Sequence, residues 1–462
     1  MRRIGIVGGG AAGLYAAYRL AERHDVVLIE ARPQIGGHVD THRVDVDDNR
    51  EPVSVDTGFI VFNRRHYPLF SSWIDELGVA SQSADMSFGV ACCVRGLEYN
   101  ATSVNRLFCQ RLNLMRPSFL GMVRDIVRFY RMAPGLLSRL DQATTLGQWL
   151  EGSFGLESAF ARDHLVPMAA ALWSSPDRRI LEFPVVYLLR FMDNHDMLRL
   201  TDRPQWQTIT GGSQRYVEAA LRRFKGRVIT NCPVERVVRN CRGGVTIFSR
   251  KGPIEVDHVV LACHADQALE LLDAPSPAER AVLGAFSYQD NDTVLHTDSS
   301  RMPANRLAWA AWNVRRDREE PEKAAITYHM NALQRLGSSR DLFVSLNQSA
   351  RIDPERILVR RAYRHPIYTP ASVAAQQRIG EISGRDRIDY CGAAWGWGFH
   401  EDAVRSAARV VDSILRGKFE AGTSALDVLA STGETSARRL PTPLDEAGGR
   451  GGLPERAASL SE

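Results

Sequence analysis

The first thirty residues constrain the fold more than any other stretch. Ile4-Gly5-Ile6-Val7 is an apolar strand, and Gly8-Gly9-Gly10-Ala11-Ala12-Gly13 is a glycine turn running into a small-residue helix. Val26-Val27-Leu28-Ile29-Glu30 is a second apolar strand, closed by a carboxylate. Each part serves the binding of a dinucleotide. Gly8 permits the tight turn, Gly10 lets the backbone approach a pyrophosphate, and Gly13 lets the helix pack close on the sheet. The helix start at Ala11 and Ala12 offers N–H groups and the positive end of the helix dipole to phosphate. Glu30 stands where a carboxylate accepts hydrogen bonds from ribose hydroxyls.

The residues after Glu30 narrow the dinucleotide. Glu30-Ala31-Arg32-Pro33-Gln34-Ile35-Gly36-Gly37-His38 sets a second glycine pair close behind the acid. Thr210-Gly211-Gly212-Ser213 then precedes a helix-like run, followed by Arg227–Val237, read as one strand, and by Asp257–Cys263. Near the end come Asp389-Tyr390-Cys391-Gly392-Ala393 and Gly398-Phe399-His400-Glu401-Asp402-Ala403. In this order the segments resemble the flavin amine oxidase and phytoene desaturase superfamily, from residue 1 to about 420. The resemblance implies an α/β fold in which a Rossmann-like FAD-binding domain is interleaved with an α+β substrate domain. It implies FAD as cofactor, with Gly36 and Gly37 under the pyrophosphate and Val234 against adenine. It counts Ala31, Arg32, His38, Thr57, Gly58, Phe59 and Gly392 among the contacts. It also aims a helix start at Asp402 and Ala403 toward the isoalloxazine, where N–H groups stabilise the negative charge of reduced flavin. Three positions depart from the superfamily pattern: His38 replaces an arginine, and Asp402 and Ala407 stand where amine oxidases usually have glycine.

A chain of 462 residues is too long for one core, so two intertwined domains are expected. The resemblance assigns residues 1–85, 205–285 and 385–420 to the FAD-binding domain and 86–204 and 286–384 to the substrate domain. Residues 421–462, rich in Gly, Pro, Ser and Thr, read as an unstructured tail. A net charge of +4 is too small to imply nucleic acid as a partner. Seven cysteines with no C-x-x-C pair suit reduced thiols in a cytoplasmic protein. No metal-ligand cluster is evident.

One stretch of the substrate domain stands out. Residues 106–139 hold Arg106, Arg111, Arg116, Arg124, Arg128, Arg131 and Arg139 among many apolar residues, with Asp125 the only acid. Residues 118–132 fit a basic amphipathic helix. Two readings stand: a helix docked peripherally on the inner face of a membrane, or an ordinary helix with a core face and solvated arginines. His195, in a segment dense in aromatics, reads either as a proton acceptor or as a buried histidine satisfied by backbone.

The segment Tyr288–Asp298 corresponds to the strand on which amine oxidases commonly carry a flavin-facing lysine, and it contains none. Phrases such as Val55-Asp56-Thr57-Gly58-Phe59-Ile60-Val61-Phe62-Asn63, Leu200-Thr201-Asp202-Arg203-Pro204-Gln205-Trp206 and Trp395-Gly396-Trp397-Gly398-Phe399 are similar to a narrower bacterial family. Its members are FAD-dependent oxidoreductases associated with cyclopropane-fatty-acid synthase-like methyltransferases, including desaturases of methylated acyl chains in furan fatty acid synthesis. That likeness implies dehydrogenation of a fatty acyl chain, methyl-branched and phospholipid-linked, with such a methyltransferase as a partner. His400 and Glu401 are the expected catalytic residues, their other reading being helix capping and a surface carboxylate. The alternatives are a flavin amine oxidase and a flavin-bearing accessory protein of a lipid methyltransferase. Only one dinucleotide fingerprint is present, so electrons are expected to come from the substrate and leave to oxygen, a quinone or another acceptor.

Overall fold

Five short strands from three distant stretches of sequence make one parallel sheet. A computed structural model describes residues 1–46, 51–141, 143–173, 177–198, 202–241, 243–318 and 325–417; the expected tail, 421–462, lies outside them. In chain order the elements that position the site are β1 (Arg3–Val7), α1 (Ala11–Leu20), β2 (Asp25–Ile29), α2 (Pro68–Glu76), α3 (Pro117–Leu136), α4 (Val185–Asn194), α5 (Gln214–Arg223), β3 (Arg227–Ile229), β4 (Val234–Arg239), β5 (His258–Leu261), β6 (Ser287–His296), β7 (Ile357–Ile367), β8 (Ile388–Tyr390) and α6 (His400–Leu415).

The parallel sheet runs β3-β2-β1-β5-β8. Its central strands β1, β2 and β5 read as near-continuous apolar runs because both faces are covered. Ile4, Ile6, Val26, Leu28 and Val260 face α1 and α6, where Leu14, Ala17, Val404 and Ala407 complete the same buried cluster. Val7, Val27, Ile29, Val259 and Leu261 face the other way, onto a second cluster with Val237 and Ile247. The fully buried Ala407 keeps α6 close against this layer.

The stretch 227–237 is not one strand. Asn231 takes a left-handed φ of 50°, and Pro233 has no N–H to give a ladder. The chain therefore leaves the parallel sheet after Ile229 and begins β4 at Val234, in a separate antiparallel sheet with Val245–Ser249 and Gly252–Val256.

A seven-stranded sheet forms the other large layer. Its order is β7, β6, Phe343–Leu346, Ala325–His329, Trp312–Arg316, Phe88–Cys92 and Leu97–Asn100. Only the Trp312–Arg316 and Phe88–Cys92 pair is parallel. Helices α3 and α4 share an apolar cluster with Trp149, Phe160, Trp173 and Tyr368. The basic helix runs Pro117–Leu136, with proline at its first position.

Candidate FAD and substrate site

The turn between β1 and α1 is held from both sides. Gly8 N–H donates to the Ile29 carbonyl at 2.9 Å, and Gly36 N–H donates to the Gly9 carbonyl at 2.9 Å. No side chain caps α1, and its first turn carries no acid, so the amides of Ala11, Ala12 and Gly13 are presented to a ligand. The glycines have separate tasks. A Cβ on Gly13 would lie 1.9 Å from the Gly8 carbonyl oxygen, so this glycine sets the packing of helix on turn. A Cβ on Gly10 would meet nothing nearer than the Gly37 Cα at 4.0 Å. Gly10 therefore keeps a space open that protein atoms do not fill.

The acid end of β2 is equally ordered. Glu30 accepts from Gly9 N–H at 2.7 Å and from Arg32 N–H at 2.9 Å, one bond per oxygen, which leaves lone pairs for ribose hydroxyls. Ala31 and Arg32 are exposed beside it, and Asn231 N–H and Cys232 N–H bind the Arg32 and Glu30 carbonyls. Val234, half-buried, opens β4 just beyond. Thr57, Gly58 and Phe59 pack on the residues just after the second glycine pair, His38 and Asp40. Phe59 N–H donates to the His38 carbonyl at 2.7 Å, and a Cβ on Gly58 would sit 2.1 Å from that oxygen. Gly392 is fixed from α6, its N–H donating to Ser406 Oγ at 2.9 Å.

At the start of α6 the structure corrects two expectations. Ala403 N–H already donates to the Phe399 carbonyl at 3.1 Å. The amides left for a ligand are the three immediately before it, at His400, Glu401 and Asp402. The Asp402 carboxylate turns back to accept from Trp397 N–H and Phe399 N–H, each at 3.1 Å, with Arg405 at 3.2 Å. Burial pushes Asp402 up to about 6 despite these partners. Glu401, expected to be catalytic, instead caps α2, accepting from Leu69 N–H at 3.2 Å and Phe70 N–H at 2.9 Å. Burial raises it to about 7. His400 lies flat on Phe59 (3.5 Å, 14°) with Nε2 3.0 Å from the Tyr216 hydroxyl, and burial pushes it down to about 3. It is a neutral ring in the cofactor wall, hydrogen-bonded to a tyrosine.

Sequence reasoning missed Asp56. This fully buried carboxylate accepts from Ser213 N–H and Oγ, from Thr41 Oγ1 and from Gln334 Nε2. It ties the strand before Thr57 to the Gly211-Gly212 turn, and burial raises it to about 6. The phrase Asp56-Thr57-Gly58 was visible, but its partners lie up to 278 residues away.

Where the lysine of amine oxidases would be sought, β6 carries an uncharged network. Asn347 Nδ2 donates to Asn291 Oδ1 at 2.7 Å, which turns the Asn291 amide N–H toward His365 Nδ1 at 2.6 Å. This assigns the His365 proton to Nε2. Burial, with His38 and His264 as neighbours, pushes His365 down to about 3. The His38 ring lies 5.4 Å from those of His365 and Tyr363. Burial pushes it down to about 4, and its Nε2 is buried without a hydrogen-bond partner.

Beyond Phe399 the wall is aromatic. Phe399 stacks on Phe191 at 5.0 Å, and Trp173 and Trp397 pack on the same ring. The loop before α6 is fastened to this layer: Trp173 Nε1 donates to the Trp397 carbonyl, and Tyr187 and Gln376 both donate to the Gly396 carbonyl. His195 sits in the wall, 4.1 Å from Phe191, 5.8 Å from Phe399 and 5.9 Å from Trp397. Its Nδ1–H donates to the Phe191 carbonyl at 2.9 Å, so the lone pair is on Nε2. Burial pushes it down to about 4, which keeps it neutral.

The residues fit FAD on three counts: the open face at Gly10, the uncapped start of α1 and the partnerless Nε2 of His38. Comparisons with known proteins agree. The family model described as flavin containing amine oxidoreductase matches residues 11–295. The putative flavin-containing monoamine oxidase AofH of Mycobacterium tuberculosis is 26% identical over 291 residues, which are 59% of this chain and 60% of that protein. The chain thus spans about three fifths of that curated relative. Two solved structures share the fold at 15% identity. Putrescine oxidase bound to putrescine has a TM-score of 0.66 and covers 90% of this chain and 99% of its own. A CLA-producing fatty acid isomerase from P. acnes has a TM-score of 0.65 and covers 90% and 98%. The chain belongs to the flavin containing amine oxidoreductase family, and its cofactor is FAD.

Proposed function

We propose that this protein is an FAD-dependent oxidoreductase that dehydrogenates a fatty acyl chain, methyl-branched and carried on a phospholipid. The observation that carries the reading is His195. It is a neutral imidazole with its lone pair on Nε2, set in a wall of Phe191, Trp397 and Phe399. An apolar wall with one neutral base suits a hydrocarbon that must lose a hydride and a neighbouring proton. Bound FAD supplies the two-electron acceptor. The chain's own part is to orient the acyl chain along the partly exposed rings of Trp397 and Phe399, exclude water and take the proton at His195 Nε2. His66 lies 5.3 Å from His195, ring to ring, and its Nε2 is 3.1 Å from Asp196, which pairs with the surface residue Arg65 at 2.8 Å.

The absence of lysine from β6 favours this reading over amine oxidation. The test is anaerobic mixing of the yellow protein with methyl-branched phospholipid or with amines. Flavin bleaching by the lipid and none by putrescine or other amines is expected. Bleaching by amines alone would make the protein an amine oxidase. No bleaching by either, with co-purification of a methyltransferase, would make it an accessory flavoprotein.

A further inference from the structure

One surface of the helical layer carries exposed apolar side chains where a water-facing surface has no use for them. Among the described residues, eleven large hydrophobic side chains are exposed, and Val104, Leu112, Leu114, Met115 and Leu120 fall within seventeen consecutive positions. Val104 and Met115 are 75% exposed and Leu112 is 64% exposed. The short turn Arg306–Ala308, which packs on the helix Val104–Leu107, adds the exposed Leu307. The segment Arg111–Met115 is a single 3-10 turn, and its successive side chains Leu112, Leu114 and Met115 project outward while Asn113 turns in.

Cations accompany this apolar knob. Arg106 and Arg111 are exposed beside it, and Arg124, Arg128 and Arg131 are exposed along α3. The last three line a shallow recess with Val123, Val127 and Met132. The Arg128 guanidinium lies over the Phe154 ring, 4.9 Å from its centre, and the residue stays exposed on the surface. The one acid of this stretch, Asp125, is already taken by Arg124 at 3.1 Å. The surface therefore combines side chains that gain from leaving water with cations spaced to meet phosphates. No helix among the described residues is long and apolar enough to cross a membrane.

We infer that this face, Val104 to Arg131, docks on the surface of an anionic phospholipid bilayer. Leu112, Leu114 and Met115 enter the headgroup and acyl boundary, and Arg124, Arg128 and Arg131 meet lipid phosphates. Charge complementarity selects the occupant, since the same face on a second copy would set arginine against arginine. The inference rests on this surface alone and stands or falls separately from the acyl substrate.

The FAD-loaded protein is to be sedimented with vesicles of phosphatidylcholine, with and without phosphatidylglycerol. Binding is expected only to the anionic vesicles, weakened by added salt. The triple variant Arg124→Glu, Arg128→Glu, Arg131→Glu should lower the partition coefficient roughly a hundredfold or more. The double variant Leu112→Ser, Met115→Ser should also lower it, with the charges intact. Both variants should keep their FAD and melting temperature, because the altered side chains are exposed. Absence of wild-type binding to anionic vesicles, or unchanged binding in both variants, would overturn the inference. So would a dimer that the variants dissociate without any vesicle binding, which would assign the face to a second copy.

Discussion

Gly10 and Gly13 sit three residues apart on one turn, yet the structure separates what their loss should do. Gly10 has φ −71° and ψ −177°, which any residue adopts, and an added Cβ meets no protein atom nearer than 4.0 Å. Gly10→Val should therefore leave the apo-protein folded, with a melting temperature close to wild type. Its side chain projects into the space kept for pyrophosphate. Displacing that group by a methyl's width breaks on the order of two charge-assisted hydrogen bonds to the α1 amides, each worth about 1.5–3 kcal/mol. The expected rise in the FAD dissociation constant is roughly 10²–10⁴-fold. Gly13→Ala sets a Cβ 1.9 Å from a backbone oxygen, so helix and turn must separate. It should lower the melting temperature of the apo-protein as well as FAD binding. The assay is paired: quenching of FAD fluorescence on titration into apo-protein, and thermal melting of the same samples. A Gly10→Val protein that binds FAD within threefold of wild type, or that fails to fold, would refute the assignment of this turn.

His195→Gln should retain FAD and fold but slow substrate-driven flavin reduction by roughly 10²–10⁴-fold; an unchanged rate would remove His195 as the proton acceptor. Glu401→Ala removes the acceptor of two amides at the start of α2 and should cost about 1–2 kcal/mol of stability. Because Glu401 holds a helix, thermal melting should shift while the reduction rate stays within a few fold; a loss of rate without a melting shift would return it to the chemistry. Stability should also fall with acid. His38, His164, His195, His264 and His296 are pushed down to about 4 by burial, and His365 and His400 to about 3. Each contributes stability that is full above the unfolded value near 6.5 and lost as pH falls toward 4 or 3. Asp56, Asp402 and Glu401, raised to about 6, 6 and 7, act in the opposite sense, losing stability as pH rises from about 4 to 7. Seven groups outweigh three, so the apo-protein should melt on the order of 10 °C lower at pH 5 than at pH 7.5; an equal or higher melting temperature at pH 5 would contradict the buried neutral imidazoles.

The cofactor end of the site was legible in the sequence because its glycines act locally. Gly8, Gly10 and Gly13 fall within six residues between an apolar strand and a small-residue helix, and that spacing reports the turn although Ile29, Gly36 and Ala262 complete it. The break at Asn231 and Pro233 was signalled by a proline that cannot serve a ladder, yet the valines and isoleucine on either side of it read as one strand. At the substrate end only His195 was singled out in the sequence, and the structure shows it buried and bonded to the Phe191 carbonyl; its surroundings were not legible. The wall of Phe191, His195, Trp397 and Phe399 draws residues from two remote segments, and no periodicity joins them. Glu401 shows the same limit. A carboxylate beside a histidine near the flavin invites a catalytic reading, but its partners are the amides of Leu69 and Phe70, 331 residues from it in the case of Phe70. Only the fold brings that helix end to it.

A structure of the protein purified with its own cofactor tests the central claim most directly. FAD should lie with its pyrophosphate on the amides of Ala11–Gly13 and its isoalloxazine beside Phe399, and an acyl chain soaked in should run along Trp397 and Phe399 toward His195. A nicotinamide nucleotide in the cleft, or a flavin ring turned away from Phe399 and His195, would contradict the account.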